Sequence, residues 1–287
     1  MYNVLIDARF VQVIETSDVA VLGVTSVDDE LFVLLNRDDN QVAVYNINDY
    51  KPQRHLHLPG FKPCYYMYSD MTSCVRNKCL YISDPINSSI QRFELTVKVN
   101  TIMKRIATKH ISKWSVPGSP RGLSITPSYN LLVACCSPTS KLVELSADSG
   151  QCVREITLQA DIKNLCHAVQ LTTGQFVVCH GGENDPLHRV CLVDDDGKVT
   201  RSYGGQRGRG VGQLYWPSHL AVDEDSQFIF VDEQSSFSHK VVLLSPKLKF
   251  VRYFSEGLSR PQRLYFHHST RRLYVGQLFS GVTAIQL

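Results

Sequence analysis

Apolar positions along the chain come in short runs broken by turns rich in Asp, Asn, Ser, Gly and Pro, and no stretch sustains the 3.6-residue spacing of an amphipathic helix. Runs such as "LFVLL" from Leu31 and "FVVC" from Phe176 are continuously apolar, as in strands buried on both faces. Others, such as "CVREITL" from Cys152 and "KFVRYFS" from Lys249, alternate apolar and polar residues and predict half-exposed edge strands. The pattern is that of an all-β chain.

The runs repeat. "PRGLSITPSYNLLVAC" from Pro120 and "PSHLAVDEDSQFIFVD" from Pro217 place their apolar positions in the same order around a polar turn. A strand anchor followed eight or nine residues later by a second strand recurs at Leu22/Leu31, Met71/Leu80, Leu123/Leu131, Ala168/Phe176, Leu220/Phe228 and Leu264/Leu273. First anchors are 44 to 52 residues apart, the period of a four-stranded propeller blade. Third strands follow at "QVAVYN", "SIQRFEL", "KLVELS", "RVCLVD", "KVVLLS" and "GVTAIQL". A fourth follows in five units.

The sixth unit ends 23 residues after its anchor, and the 21 residues before Leu22 supply its missing strand, with "FVQVIE" from Phe10 pairing with "GVTAIQL". Such pairing closes the ring and hides two edges. The expected architecture is a single six-bladed β-propeller domain over 1–287. It has a closing strand at about 3–15 and blades at about 19–60, 64–116, 119–160, 164–205, 215–256 and 260–287. First strands line a central channel.

The segment "GGQRGRGVGQLYWPSHLAVDEDSQFIFVDE", followed by "SHKVVLLS", resembles the NHL-repeat family. Units of that family run from a glycine-rich linker through G-x-G-Q-[FL], a proline, an apolar strand, a strand ending in Asp and an [NH]-[RK]-V third strand. The third unit ("SPRGLSIT", "SKLVEL"), the fourth ("HRVCLV") and the second ("LYISD") match in part. The resemblance implies a propeller like the C-terminal domain of tripartite-motif ubiquitin ligases and their relatives, which binds RNA or protein. No RING, B-box or coiled coil is present, so the resemblance implies an isolated substrate-recognition domain or a piece of a longer protein.

Composition agrees with a folded domain: 43% of residues are hydrophobic and 20% charged. A net charge of +3, with acids and bases interspersed, does not build a dominant field for nucleic acid. Nine cysteines, several inside apolar runs (Cys135, Cys136, Cys179, Cys191), read as reduced thiols in a cytoplasmic protein. Cys64, Cys74 and Cys79 do not have zinc-site spacing. No run approaches a membrane span of about 18 apolar residues, and an isolated monomer without cofactor or metal is expected.

Candidate chemistry gathers at one mouth of the channel. The glycine-rich stretch lacks the G-x-x-x-x-G-K-[ST] order and leads into a strand, so it is no phosphate loop. Gly204, Gly205, Gly208, Gly210 and Gly212 are read as supplying positive φ at the blade crossing. Arg207 and Arg209 on this crossing project toward solvent, where guanidinium groups contact phosphate or acidic protein. His167 and His219 directly precede their strand anchors, as Gly122 and Arg263 do, and all four face one rim.

Peptide-amidating propeller lyases hold zinc with three rim histidines in a P-H-x pattern. Here the residue after the proline is Arg121, Ser218 or Gln262, and the two histidines have no third ligand or neighbouring carboxylate in the sequence pattern. Arg121 and Arg263 with Trp216, Tyr65 and Tyr66 form a basic and aromatic set of the kind that stacks bases or anchors protein ligands. "CHGGENDPLHRV" from Cys179 reads as a polar turn, and Lys104, Arg105, Lys109 and Lys113 as a solvated edge.

Three functional classes follow. The first is a non-catalytic recognition module for a protein, a peptide or single-stranded RNA, with Arg121, His167, Arg207, Arg209, Trp216, His219 and Arg263 as ligand contacts. The second is a metal-dependent propeller lyase or hydrolase with His167 and His219 as ligands. The third is a structural or oligomerising propeller. Protein ranks above RNA because the charge is modest.

Overall fold

The computed structural model describes residues 8–15, 19–36, 41–61, 68–100, 103–210, 212–233 and 239–287, with backbone alone at 12, 97–100 and 103–108. Every regular element is a strand. The first, β1 (Arg9–Ile14), lies outside the first blade, which is β2 (Val21–Val27), β3 (Glu30–Leu35), β4 (Gln41–Asn46) and β5 (Pro52–His57). The second blade is β6 (Met71–Cys74), β7 (Cys79–Asp84), β8 (Ser89–Asn100) and β9 (Met103–Ser115). The third is β10 (Pro120–Ile125), β11 (Leu131–Cys135), β12 (Lys141–Leu145) and β13 (Cys152–Thr157).

The fourth blade is β14 (Leu165–Gln170), β15 (Phe176–His180), β16 (Leu187–Val193) and β17 (Val199–Gln206). The fifth is β18 (Pro217–Val222), β19 (Ile229–Glu233), β20 (Val241–Leu244) and β21 (Phe250–Phe254). In the sixth, β22 (Pro261–His267), β23 (Arg272–Gln277) and β24 (Val282–Gln286) are completed by β1, which pairs antiparallel with β24 (Phe10 opposite Ile285). The last blade is thus built from both ends of the chain.

The six sheets form a ring, each inner strand touching the next from β2 through β22 and back to β2. The chain is a six-bladed β-propeller. Apolar layers lie between neighbouring blades, such as Leu22, Phe32 and Val42 of the first blade with Met71, Leu80 and Phe93 of the second. This explains the continuously apolar runs: β3, β7, β11 and β19 sit in mid-sheet with a blade on either side and are buried almost end to end.

The outer strands depart from simple alternation. In all five blades with their own fourth strand, the pairing with the third strand slips by one residue, leaving Gln53, Ile111, Val153, Thr200 and Val251 without an opposite partner. Each is the extra residue of a β-bulge, which bends the strand and re-aims its side chains. Ile111, Val153 and Val251 therefore face outward, 40%, 53% and 39% exposed. The outermost cations Lys109 and Lys113 are solvated as expected; the side chains of Lys104 and Arg105 lie outside the described residues.

Described cysteines are unpaired thiols, Cys74 and Cys79 included. Burial raises Cys135 and Cys191 to about 12. Cys64 lies outside the described residues. No helix is long and apolar enough to cross a membrane among the described residues.

Candidate functional site at the channel mouth

The inner strands carry a second set of bulges, and these build the site. In β2, β10, β14, β18 and β22, the pairing with the neighbouring strand slips near the start of the strand, at Leu22, Arg121/Gly122, Cys166, Ser218/His219 and Gln262. The slip turns the next side chains inward. Register places Gly23, Asp70, Gly122, His167, His219 and Arg263 at one level of the channel, near the mouth where the inner strands begin. The equivalent position in the first unit is Gly23, so its anchor is Val24 rather than Leu22, a shift the bulge introduces.

Asp70 is the hub of this layer. Its Oδ1 accepts the Met71 amide at 2.8 Å, and its Oδ2 accepts the Leu123 amide of the next blade, also at 2.8 Å. His219 Nε2 stands 3.3 Å from Oδ2, His167 Nε2 3.7 Å from Oδ2 and Arg263 Nε 3.6 Å from Oδ1. Burial by itself raises the Asp70 carboxyl, but His219, Arg263 and His167, together with a hydrogen bond from His219, outweigh it and hold the group down at about 2. It is a buried carboxylate.

This corrects the expectation that the two histidines lack a neighbouring carboxylate. Asp70 precedes the anchor Met71 just as His167 precedes Ala168, so the rule that located the histidines also pointed to it. The imidazoles stack with centroids 3.8 Å apart and planes inclined by 32°. Burial, reinforced by His219, lowers His167 to about 3, so this ring is neutral at physiological pH. Gly122 makes room for it: a Cβ there would lie 2.5 Å from His167 Cδ2 and 2.6 Å from the Cys166 carbonyl oxygen.

Hydrogen-bond directions define the network. The Leu264 amide points at His219 Nδ1 at 3.4 Å, which leaves Nε2 to carry the proton and donate to Asp70. His167 Nε2 lies 3.1 Å from the Leu123 carbonyl and donates to it, while its Nδ1 is buried without a hydrogen-bond partner. Arg263 donates from Nε to Leu22 O (2.8 Å), from Nη1 to Gln262 O (2.7 Å) and from Nη2 to Ser69 O (2.8 Å), stapling the sixth blade to the first and second. Asp232 accepts the Ser218 amide (3.1 Å) and hydroxyl (2.8 Å) and the His219 amide (2.5 Å), and burial raises it to about 6.

Asp70, His167 and His219 are also the described residues that could hold a metal ion, their ligand atoms lying within 4.8 Å of one another. A cation between His219 Nε2 and Asp70 would have to displace the hydrogen bond that joins them. The hydrogen bonds present are those of a polar plug.

Above the plug opens a space of about 30 Å³, its walls including Tyr68, Asp70, Arg121, Trp216, His219 and Arg263. Arg121 lies over the Tyr68 ring at 4.4 Å. Trp216 packs partly against the core between the fourth and fifth blades and lines this space, with φ of 53°. Below the plug, the channel widens to about 190 Å³ toward the mouth where the inner strands end, past Ser26, Ser73, Ser124 and Tyr265.

Arg207 and Arg209 lie farther out on the same mouth, both over the Tyr215 ring at 5.0 and 5.3 Å. Arg207 also donates to the Glu183 carbonyl. Only Gly204 and Gly212 on this crossing have positive φ; Gly208 and Gly210 instead lie against the Gln213 side chain, where a Cβ would fall 2.0 and 2.9 Å from Oε1. The loop from Cys179 is a polar turn: Asp185 accepts from the Gly182 amide and Asn164, and His188 accepts the Trp216 amide at 2.6 Å. Tyr65 and Tyr66 lie outside the described residues.

No protein-family pattern and no curated protein matches the chain. Solved structures do. The chain is similar to Kuenenia stuttgartiensis hydrazine synthase at 14% identity and TM-score 0.63, covering 96% of this chain and 97% of that one. It is similar to the WD40 β-propeller domain of Doa1 at 14% identity and TM-score 0.60, covering 97% of each. A protein of unknown function from Bacteroides caccae matches at 15% identity and TM-score 0.60, over 86% of this chain and 81% of that one. What these proteins share with the chain is the fold.

Proposed function

We propose that the protein is a non-catalytic recognition module that receives a peptide segment of a protein partner at the near mouth of its channel. The observation that carries this reading is the division of labour among the mouth residues. Asp70, His167, His219 and Arg263 spend their polar groups largely on one another and on backbone, closing the channel. Tyr68, Arg121 and Trp216, directly above, present aromatic faces and a guanidinium to an open space. Rigid aromatics and arginine at the centre of a concave site are the residue types on which binding energy concentrates. The resemblance of the fifth unit to NHL repeats extends the proposal to substrate recognition within a larger ligase-like protein. The buried unpaired thiols support a reducing, cytoplasmic setting.

Selection of a displayed random peptide library on the purified protein tests the reading. Convergence on a sequence motif whose binding is lost in Trp216→Ala supports it. Absence of enrichment, or preferential binding of single-stranded U10 RNA with a steep salt dependence that Arg207→Ala and Arg209→Ala abolish, overturns it in favour of RNA or of no ligand at this mouth.

A second reading, a metal-dependent lyase or hydrolase, is favoured by the approach of Asp70, His167 and His219. Elemental analysis and zinc titration decide it. Stoichiometric zinc lost in Asp70→Asn would carry it, and sub-stoichiometric metal would end it.

A further inference from the structure

Arg121 raises a specific electrostatic problem. It sits half-buried at the start of β10, its guanidinium over Tyr68 at 4.4 Å and beside the thiols of Cys166 and Cys136. Among the described residues no carboxylate forms an ion pair with it. A partly desolvated guanidinium ordinarily finds an acid, because a planar fork of donors loses much of its hydration on leaving water. Asp70 lines the same space, but its carboxylate is committed to Leu123, Met71, His219 and Arg263. The open side of Arg121 faces the space under Trp216.

We propose that Arg121 is the anchor of a carboxylate-binding subsite, which takes an aspartate or glutamate side chain of the bound peptide. The inference rests on the recognition reading above and names the chemistry of its ligand. The carboxylate lies against the Arg121 guanidinium in the space walled by Tyr68 and Trp216. Flanking apolar residues of the peptide cover Trp216 and Tyr68. A net charge of +3 gives a polyanion little compensation, so an acidic peptide is favoured over RNA.

The test is fluorescence anisotropy with two labelled hexapeptide pools, one drawn from Asp, Glu, Leu and Gly and the other from Asn, Gln, Leu and Gly, on the intact chain. The acidic pool is expected to bind at least about tenfold more tightly than the amide pool, the span of one charge-assisted contact. Arg121→Met is expected to erase that difference, and Arg121→Lys to restore it in part. Arg201→Ala, an exposed cation on β17, should leave it unchanged. Matching thermal melts of the variants establish that they fold.

Equal binding of the two pools with loss in Trp216→Ala would overturn the carboxylate subsite while leaving peptide recognition standing. Loss of discrimination in Arg201→Ala, or its persistence in Arg121→Met, would show that general charge and not this arginine is responsible. Tighter, Arg121-dependent binding of U10 RNA would reassign the subsite to phosphate. No binding of either pool would overturn the subsite, with library selection remaining to judge the recognition reading.

Discussion

Asp70 Oδ2 stands 3.3 Å from His219 Nε2, joining the second blade to the fifth across the channel. Replacing Asp70 by Ala leaves His219 and the Met71 and Leu123 amides without their buried acceptor and Arg263 without its counter-charge. Removing one partner of a buried charged network costs about 3–5 kcal/mol, so Asp70→Ala should markedly lower the guanidinium midpoint. Asp70→Asn keeps an amide-accepting oxygen and should lose less. A change within experimental scatter for Asp70→Ala would show that the plug does not support the ring.

Acid should weaken the fold in two stages. Asp70 has its pKa depressed to about 2 from 3.8, so its contribution is present above pH 4 and is lost as pH falls through 2, about 2 kcal/mol in all. His167, buried neutral at about 3 against 6.5, is protonated in the unfolded chain first, so it removes stability from about pH 6.5 downward. Asp232 acts in the opposite sense. Its raised pKa of about 6 means that the folded state binds the extra proton between about pH 6 and 4, and its contribution to stability is lost as pH rises through 6. Asp232→Asn should therefore make the loss of stability between pH 6 and 4 steeper, read from urea midpoints across that range.

Gly122→Ala should destabilise the protein by about 2 kcal/mol or more, because its Cβ would meet the Cys166 carbonyl oxygen at 2.6 Å as well as the His167 ring. Gly205→Ala has open space around its Cβ and should be near neutral. Thermal unfolding of the pair measures the contrast. Equal melting temperatures would show that the channel layer can shift to admit a methyl group.

Trp216→Gly isolates binding from backbone strain. The residue has φ of 53°, which glycine adopts without cost, so the loop geometry should persist while the aromatic face is lost. Peptide affinity should fall about tenfold or more, and thermal stability should fall because Trp216 also packs against the core between the fourth and fifth blades. Unchanged affinity of a library-selected peptide would remove Trp216 from the binding surface.

The all-β class, the six units, their period and the closure by the N-terminal strand were legible in the chain itself. Buried strands write their environment into local sequence, and a repeated environment produces a repeated pattern. The pairing of β1 with β24 was readable for the same reason, since a unit one strand short shows in the count. The positions of His167, His219 and Arg263 at one level followed from their common place before a strand anchor.

What only the tertiary structure decided lies at the bulges and across the channel. A bulge adds one residue without a sequence mark of its own, so the spacing set the first anchor at Leu22 instead of Val24. Asp70 shared the legible position of the histidines, yet its role depends on contacts with residues as far away in sequence as His219. No local pattern encodes those contacts. Closing the ring creates them by bringing six separate strand starts to one axis, where burial makes each polar group seek a partner from another blade and leaves Arg121, turned toward the mouth, facing the open space under Trp216.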